Sequence, residues 1–365
     1  MKPKILFLML EFPRWKDASR WGFAANIGME FGFSAHGVDY RILPATHRYD
    51  GNTPFWVDYA DSVLSGERYD QVWFEVVHSS IDDLTLEFIS EIAPVRLGFV
   101  FESLELLPTE WENNPTACQL REKSLEKRLA ITTHLVTTDE VDAQRLTHRP
   151  FQVRAMPPGF VIPRRFICED LGVPSCPYGI FYGTLYGDRR MWLENPELTP
   201  LLRYADQSPE YFTELPTAFD KLHSFVERLF SLSIPTAQHL NSYLEGLRVT
   251  RNECFRLWLE GLRLGAAVVN LPQLGRAYAS RVVEGMAAGR PVITRELEGR
   301  PLAKAAFEDG KEILLYRSPE EMAVHLERVI RDRDYANRIA RAAQEKIKQT
   351  HCTEGYIGDL LEWTN

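Results

Sequence analysis

Two stretches of the chain carry residues whose types and spacing suit the holding of a phosphorylated ligand. In SRVVEGMAAG, Ser280 to Gly289, the acid Glu284 stands in the middle of an otherwise small and apolar helix. A carboxylate there costs free energy unless it points at something polar. Its place in the second turn, just outside the carboxyl end of a strand, is where ligands sit in open α/β sheets. The residues alone also allow Glu284 to lie on the solvated side of its helix. The second stretch is GTLYGDRR, Gly183 to Arg190, a glycine-flanked loop that runs into a helix. Its backbone donors and helix N-terminus would supply partial positive charge. Arg189 and Arg190 would add planar forked donors suited to phosphate oxygens. A solvated arginine pair is the competing reading.

The elements needed to position these residues can be read around them. Ala266 to Leu271 is an apolar run ending at Pro272, as in a buried parallel strand. Ser280 is expected to cap a helix of about two turns, and Gly289 to stop it as a left-handed C-cap. Pro291 to Thr294 gives the next strand, with proline where no ladder donor is lost. Small residues at Gly285, Ala287 and Ala288 let the helix lie close to the sheet. The strand Gly179 to Gly183 leads into the arginine loop.

The run SRVVEGMAAGRPVIT resembles the donor-site segment of group 1, retaining-type glycosyltransferases of the GT-B fold. The later text from Phe307 to His351 continues the likeness, which spans about the last hundred residues and is nearest the spore-coat-maturation CgeB-like branch. The resemblance implies an α/β chain of GT-B architecture. Two Rossmann-like domains would face each other across a cleft, with a C-terminal helix crossing back to the first. It implies that Glu284 hydrogen-bonds the ribose hydroxyls of a nucleotide-sugar and that Arg189 and Arg190 meet its diphosphate. Ser280, Arg281, Gly183 and Thr184 would complete the phosphate cradle, and Asn270, Gln273 and Arg276 would lie near the sugar. Many family members carry a second glutamate eight positions before the first, where this chain has Arg276. That sugar contact is therefore not carried over.

The first half reads as a doubly wound start. Strands are expected at Lys4–Leu10, Val38–Ala45, Gln71–His78, Val95–Glu102, His134–Thr138 and Gln152–Met156, with helices between them. No G-x-G-x-x-G follows the first strand, which argues against a dinucleotide site there. By the resemblance, the loop carrying Gly22 would reach toward the acceptor. His78, Glu102 and Asp139 fall at strand ends on one sheet edge; Asp139 before a helix has a ready role as a cap. Residues 1–160 are read as an acceptor-side domain, joined by a linker at 161–177 to a donor domain at 178–351. The terminal segment 352–365 returns to the first domain. Pro196 to Arg263 reads as mostly helical, with one short strand near Leu201 to Tyr204.

At 365 residues the chain suits two domains, and 45% hydrophobic with 25% charged residues is the composition of a soluble globular protein. A net charge of −9 argues against a general nucleic-acid binder. Five scattered cysteines point to a reducing cytoplasm and no structural zinc. No targeting segment is evident, which leaves peripheral contact with a membrane open. Asp332-Arg333-Asp334 imitates a metal-binding Asp-x-Asp but lies between two charged helices, so no catalytic metal and no cofactor are expected.

The activity expected is sugar transfer from a nucleotide-diphosphate donor to an acceptor hydroxyl. The acceptor's class, glycan, protein, lipid or small molecule, is left open. Arg189 and Arg190 would stabilise the leaving diphosphate, and His78 is the one candidate base. Alternatives are a nucleotide-sugar epimerase on the same fold, or a non-catalytic descendant that binds a glycan or partner protein.

Overall fold

Seven of the eight residues of Lys4–Glu11 (β1) are buried, so the strand is covered on both faces and lies inside a parallel sheet. This computed structural model describes residues 2–11, 28–46, 55–77, 83–105, 115–157, 159, 161–183, 185, 187–205, 215–272 and 276–365. After β1 come Met29–Ala35 (α1), closed by Gly37 at φ 57°, and Asp39–Thr46 (β2). A 3-10 turn, Trp56–Tyr59, leads to Ala60–Leu64 (α2), Gln71–Glu75 (β3) and Asp83–Ile92 (α3). Val95–Val100 (β4), Pro115–Ile131 (α4), His134–Thr137 (β5), Glu140–Leu146 (α5) and Gln152–Ala155 (β6) complete this half. Its six strands pair in the order β2-β1-β3-β4-β5-β6, all parallel. The third and fourth strands stop before the expected ends, so Glu102 lies in the loop beyond β4.

The second sheet begins with Cys176–Tyr182 (β7), followed by Arg189–Leu193 (α6) and Leu202–Ala205 (β8). Two long helices, Leu215–Leu232 (α7) and Ala237–Arg263 (α8), come before Gly265–Asn270 (β9). Then follow Ser280–Ala287 (α9), Val292–Arg295 (β10), Pro301–Ala306 (α10) and Leu314–Tyr316 (β11). The strands pair in the order β11-β10-β9-β7-β8, again all parallel. The helical character expected of Pro196 to Arg263, with one short strand, is what the chain adopts.

Three helices end the chain: Pro319–Arg331 (α11), Arg333–Thr350 (α12) and Thr353–Thr364 (α13). Ser318 caps α11 by accepting from the Glu321 amide at 3.3 Å. Asp332 caps α12 through the Tyr335 amide at 2.9 Å, a local role for the first acid of the Asp-x-Asp. The last helix crosses back to the first sheet. Ile357 packs so closely on Gly32 that a Cβ would not fit there. His36 Nε2 lies 2.6 Å from the Glu354 carbonyl, and Thr364 donates to Gln71 at 3.1 Å.

Helix α8 spans both halves. At about 1.5 Å per residue its 27 residues reach roughly 40 Å. Tyr243 meets Trp56 of the first half at 5.3 Å between rings, and Arg248 pairs with Glu30 of α1 at 2.7 Å. Farther along, Phe255 packs edge-on against Phe166 of the connecting segment, at 5.1 Å.

Candidate functional site

The carboxyl ends of β7, β9 and β10 bring Gly183, Asn270 and Thr294 to one edge of the second sheet. Phe181, fully buried on β7, is the platform there. The Arg189 guanidinium lies 5.2 Å from its ring centre and that of Arg281 4.9 Å. Stacking on an aromatic face holds a guanidinium flat while leaving edge donors for hydrogen bonds. Arg189 Nε donates to the Pro272 carbonyl at 2.7 Å, and Arg281 Nη1 donates to Asn270 Oδ1 at 2.9 Å. Asn270 is fixed in turn by its amide nitrogen, which donates to Thr294 Oγ1 at 3.0 Å. Tyr316 donates to the Asn270 carbonyl oxygen at 2.8 Å.

Of the arginine pair, only Arg189 turns inward. It is 3% exposed, whereas the Arg190 side chain is 72% exposed and lies 3.7 Å from Glu194, one turn along α6. Arg190 is thereby removed from the site. Gly183 borders the cradle: a Cβ added to it would fall 2.5 Å from Arg281 Nη2. The absence of a side chain at 183 is what lets the Arg281 guanidinium lie against this loop.

Helix α9 is built as its small residues require. Gly285 sits over Val268 and Val292 with no space for a larger residue, and Gly289 ends the helix at φ 74°. The cap is a correction. Ala279 occupies the N-cap position without a side-chain hydrogen bond, and Ser280 is already the first helical residue. The Ser280 hydroxyl instead lowers the pKa of Glu284, one turn on.

Glu284 faces inward, not toward solvent. It is 4% exposed, and its Oε2 accepts from the indole Nε1 of Trp258 on α8 at 2.9 Å. Burial pushes its pKa up, while the Trp258 N–H, the charge of Arg281 and the Ser280 hydroxyl pull it down. Trp258 also meets Tyr182, the last residue of β7, edge-on at 5.7 Å between ring centres. Glu284, Trp258, Tyr182, Gly183, Arg281 and Arg189 thus form one continuous set of neighbours at the sheet edge.

The other expected positions fall less centrally. Arg276 is exposed and lies 3.8 Å from Glu105 of the first half. Glu102 is exposed beyond β4. Gly22, His78, Thr184 and Gln273 lie outside the described residues. Asp139 caps α5 through the Val141 amide at 2.9 Å, and it also accepts from Arg300 Nη2 of the second half at 3.0 Å. Nothing local in the sequence marks Arg300 or Trp258: Trp258 is one more apolar position at helical spacing, and Arg300 has no motif around it. Among the described residues, no group of three or more His, Cys, Asp or Glu side chains is placed to hold a metal ion. No helix among them is long and apolar enough to cross a membrane.

Residues 250–362 match the model of a family described as glycosyl transferase-like. That span contains Trp258, Asn270, Arg281 and Glu284. No curated protein matches the chain. Among solved structures, sucrose-phosphate synthase from Thermosynechococcus elongatus is similar at 12% identity, with a TM-score of 0.57 over 99% of this chain and 98% of its own. An alpha-glucosyltransferase in complex with UDP and a 13-mer DNA gives a TM-score of 0.58 at 11% identity, over 100% of this chain and 99% of its own. HepE of Anabaena, in complex with UDP-glucose, gives 0.52 at 12% identity, over 99% and 100%. At these identities the likeness establishes the fold, the two-sheet GT-B architecture expected from the sequence.

Proposed function

We propose that the chain is a glycosyltransferase that takes a sugar from a nucleoside-diphosphate donor and passes it to an acceptor hydroxyl. The observation that carries this reading is the stacking of Arg189 and Arg281 on Phe181, beside the inward-facing Glu284, at the carboxyl edge of the second sheet. The glycosyl transferase-like match over 250–362 and the UDP and UDP-glucose complexes of fold relatives support it. In this reading residues 178–351 bind the donor and residues 1–160, with 352–365, serve the acceptor.

The chemistry follows from the groups present. Breaking the bond between the anomeric carbon and the diphosphate leaves negative charge on the departing oxygens. The guanidiniums of Arg189 and Arg281 and the first amides of α9 are preorganised to meet that charge. Removing one such donor typically costs about 3–4 kcal/mol of activation free energy. This arrangement supports a metal-independent departure. With retention of configuration, as in the family resembled, the acceptor hydroxyl can pass its proton to the leaving phosphate oxygen. Glu284 accepts from the pentose hydroxyls and sets donor affinity. The five free thiols suit a reducing compartment such as the cytoplasm.

A second reading, a non-catalytic descendant, is favoured by one observation: Arg276 stands where the family resembled has its sugar-contacting glutamate, and leans toward Glu105 instead. One experiment separates the two. Nucleoside diphosphates at a hundredfold over their dissociation constant should stabilise the chain by about 2.7 kcal/mol, and Glu284→Ala should abolish the shift. Hydrolysis or transfer of the sugar from a panel of nucleotide-sugars then marks an enzyme. Binding without turnover marks the descendant, and no binding at all overturns the donor-site assignment.

A further inference from the structure

Trp258 comes from a helix outside the run SRVVEGMAAG that carries Glu284, and its one polar atom is spent on that acid. The 2.9 Å bond from Nε1 to Oε2 is charge-assisted when the acid is ionised. From its own helix, the Ser280 hydroxyl and the Arg281 charge also favour the ionised carboxyl. A carboxylate bonded from a second helix keeps one orientation, whereas one with neighbours only on its own helix can rotate about its terminal torsion.

The carrier of Trp258 is itself fixed. Arg251 and Trp258 stand seven positions apart on α8, two turns along one face, with Phe255 between them. Arg251 forms a buried ion pair with Glu11 of β1, Arg248 forks onto Glu30 at 2.7–3.0 Å, and Phe255 packs on Phe166. The indole is further set by its edge-on contact with Tyr182.

We propose that Trp258 is a positioning residue, whose indole N–H holds the Glu284 carboxylate in the orientation that the pentose hydroxyls of a nucleoside diphosphate meet. The inference rests on the donor-site reading above and extends it to a residue on α8. It makes recognition of the pentose, rather than of the base or the diphosphate, the quantity that Trp258 controls.

The test uses the full chain and calorimetric titration with UDP, GDP, ADP and CDP, and with the 2′,3′-dideoxy form of each. Trp258→Phe should weaken the best-bound ribonucleotide by about tenfold, the scale of one hydrogen bond to a charged group. Glu284→Gln should do the same, and the double variant should be little worse than either. The dideoxy nucleotide should bind the wild-type chain correspondingly weakly, and Trp258→Phe should then have no further effect. A replacement of Trp258 by 3-benzothienylalanine, which keeps the bicycle and lacks the N–H, repeats the measurement where Phe disturbs folding. Equal losses with ribo- and dideoxy-nucleotides, or additive losses in the double variant, would show the indole to be packing only and overturn the proposal. Failure of the wild-type chain to bind any of the four ribonucleotides would overturn the donor-site reading and this inference with it. The two failures are therefore told apart by the wild-type titration.

Discussion

Arg251, in the middle of α8, and Glu11, the last residue of β1, form an ion pair buried between the two sheets, with Nε 3.2 Å from Oε2. The side chains are 5% and 0% exposed, so neither charge is relieved by water. Removing one partner of such a pair leaves a buried charge and typically costs about 3–5 kcal/mol. Arg251→Met is expected to destabilise the chain by about that amount in urea unfolding. Combining it with Glu11→Leu should recover much of the loss, because the stranded carboxylate is gone.

The inward and outward arginines of α6 should separate in kinetics. Arg189 is buried against Phe181 and Arg190 is mostly exposed. If Arg189 meets the leaving diphosphate, Arg189→Gln should lower turnover by about 10²-fold or more. Arg190→Ala should have an effect at least an order of magnitude smaller. Steady-state assays with a saturating donor measure both.

Gly183 tests the cradle from the backbone side. A methyl group there would fall 2.5 Å from Arg281 Nη2, and the guanidinium would have to move. Gly183→Ala should weaken nucleoside-diphosphate binding by roughly tenfold, the scale of one misplaced charge-assisted hydrogen bond. Binding of the nucleoside without phosphates should be unaffected. Titration of the two ligands against one variant gives the comparison.

Acid should impair donor binding earlier than an ordinary carboxylate predicts. Burial lifts the Glu284 pKa, and if Glu284 holds the pentose as proposed, only its ionised form could accept from both hydroxyls. Affinity should therefore be full above that raised pKa and fall as pH drops through it. Glu284→Gln should bind weakly with this acid limb removed. Dissociation constants measured from pH 5 to 8 decide the point.

Asp142 of α5 carries a stability prediction of opposite direction from the usual acid. Burial, with a smaller contribution from nearby Asp139, raises its pKa to about 6, although it accepts from the Leu104 amide at 2.6 Å. A folded-state pKa above the unfolded value means the folded chain binds more protons. Its ionised form thus costs stability at neutral pH, and that cost starts to fade as pH drops below about 6 and is gone only below the ordinary carboxylate pKa of the unfolded chain. Asp142→Asn keeps an acceptor for Leu104 and should stabilise the chain at pH 8 by on the order of 1–2 kcal/mol. The gain should shrink to about half near pH 5 and vanish only below the ordinary carboxylate pKa of about 4, in paired melts across that range.

The amino-acid sequence alone determined the elements and their order. Apolar runs, glycine stops such as Gly289 and acid caps such as Asp139 act within a few residues, so they are legible locally. The run SRVVEGMAAGRPVIT and the likeness of the C-terminal hundred residues to group 1 glycosyltransferases reached the GT-B architecture as well. A cap at Ser280 is the local expectation, yet Ser280 is already helical and Ala279 stands at the helix start with no side-chain bond.

Tertiary structure decided which side chains meet. Arg189 and Arg190 differ by one step, about 100° of helix phase, and only packing against Phe181 selects the first. Trp258 reads as one more apolar position on a helix until the fold lays α8 across α9 and its N–H reaches a carboxylate 26 positions away. Arg251 and Glu11 are 240 positions apart. No periodicity encodes such a pairing, because it exists only once two sheets have formed and closed on each other.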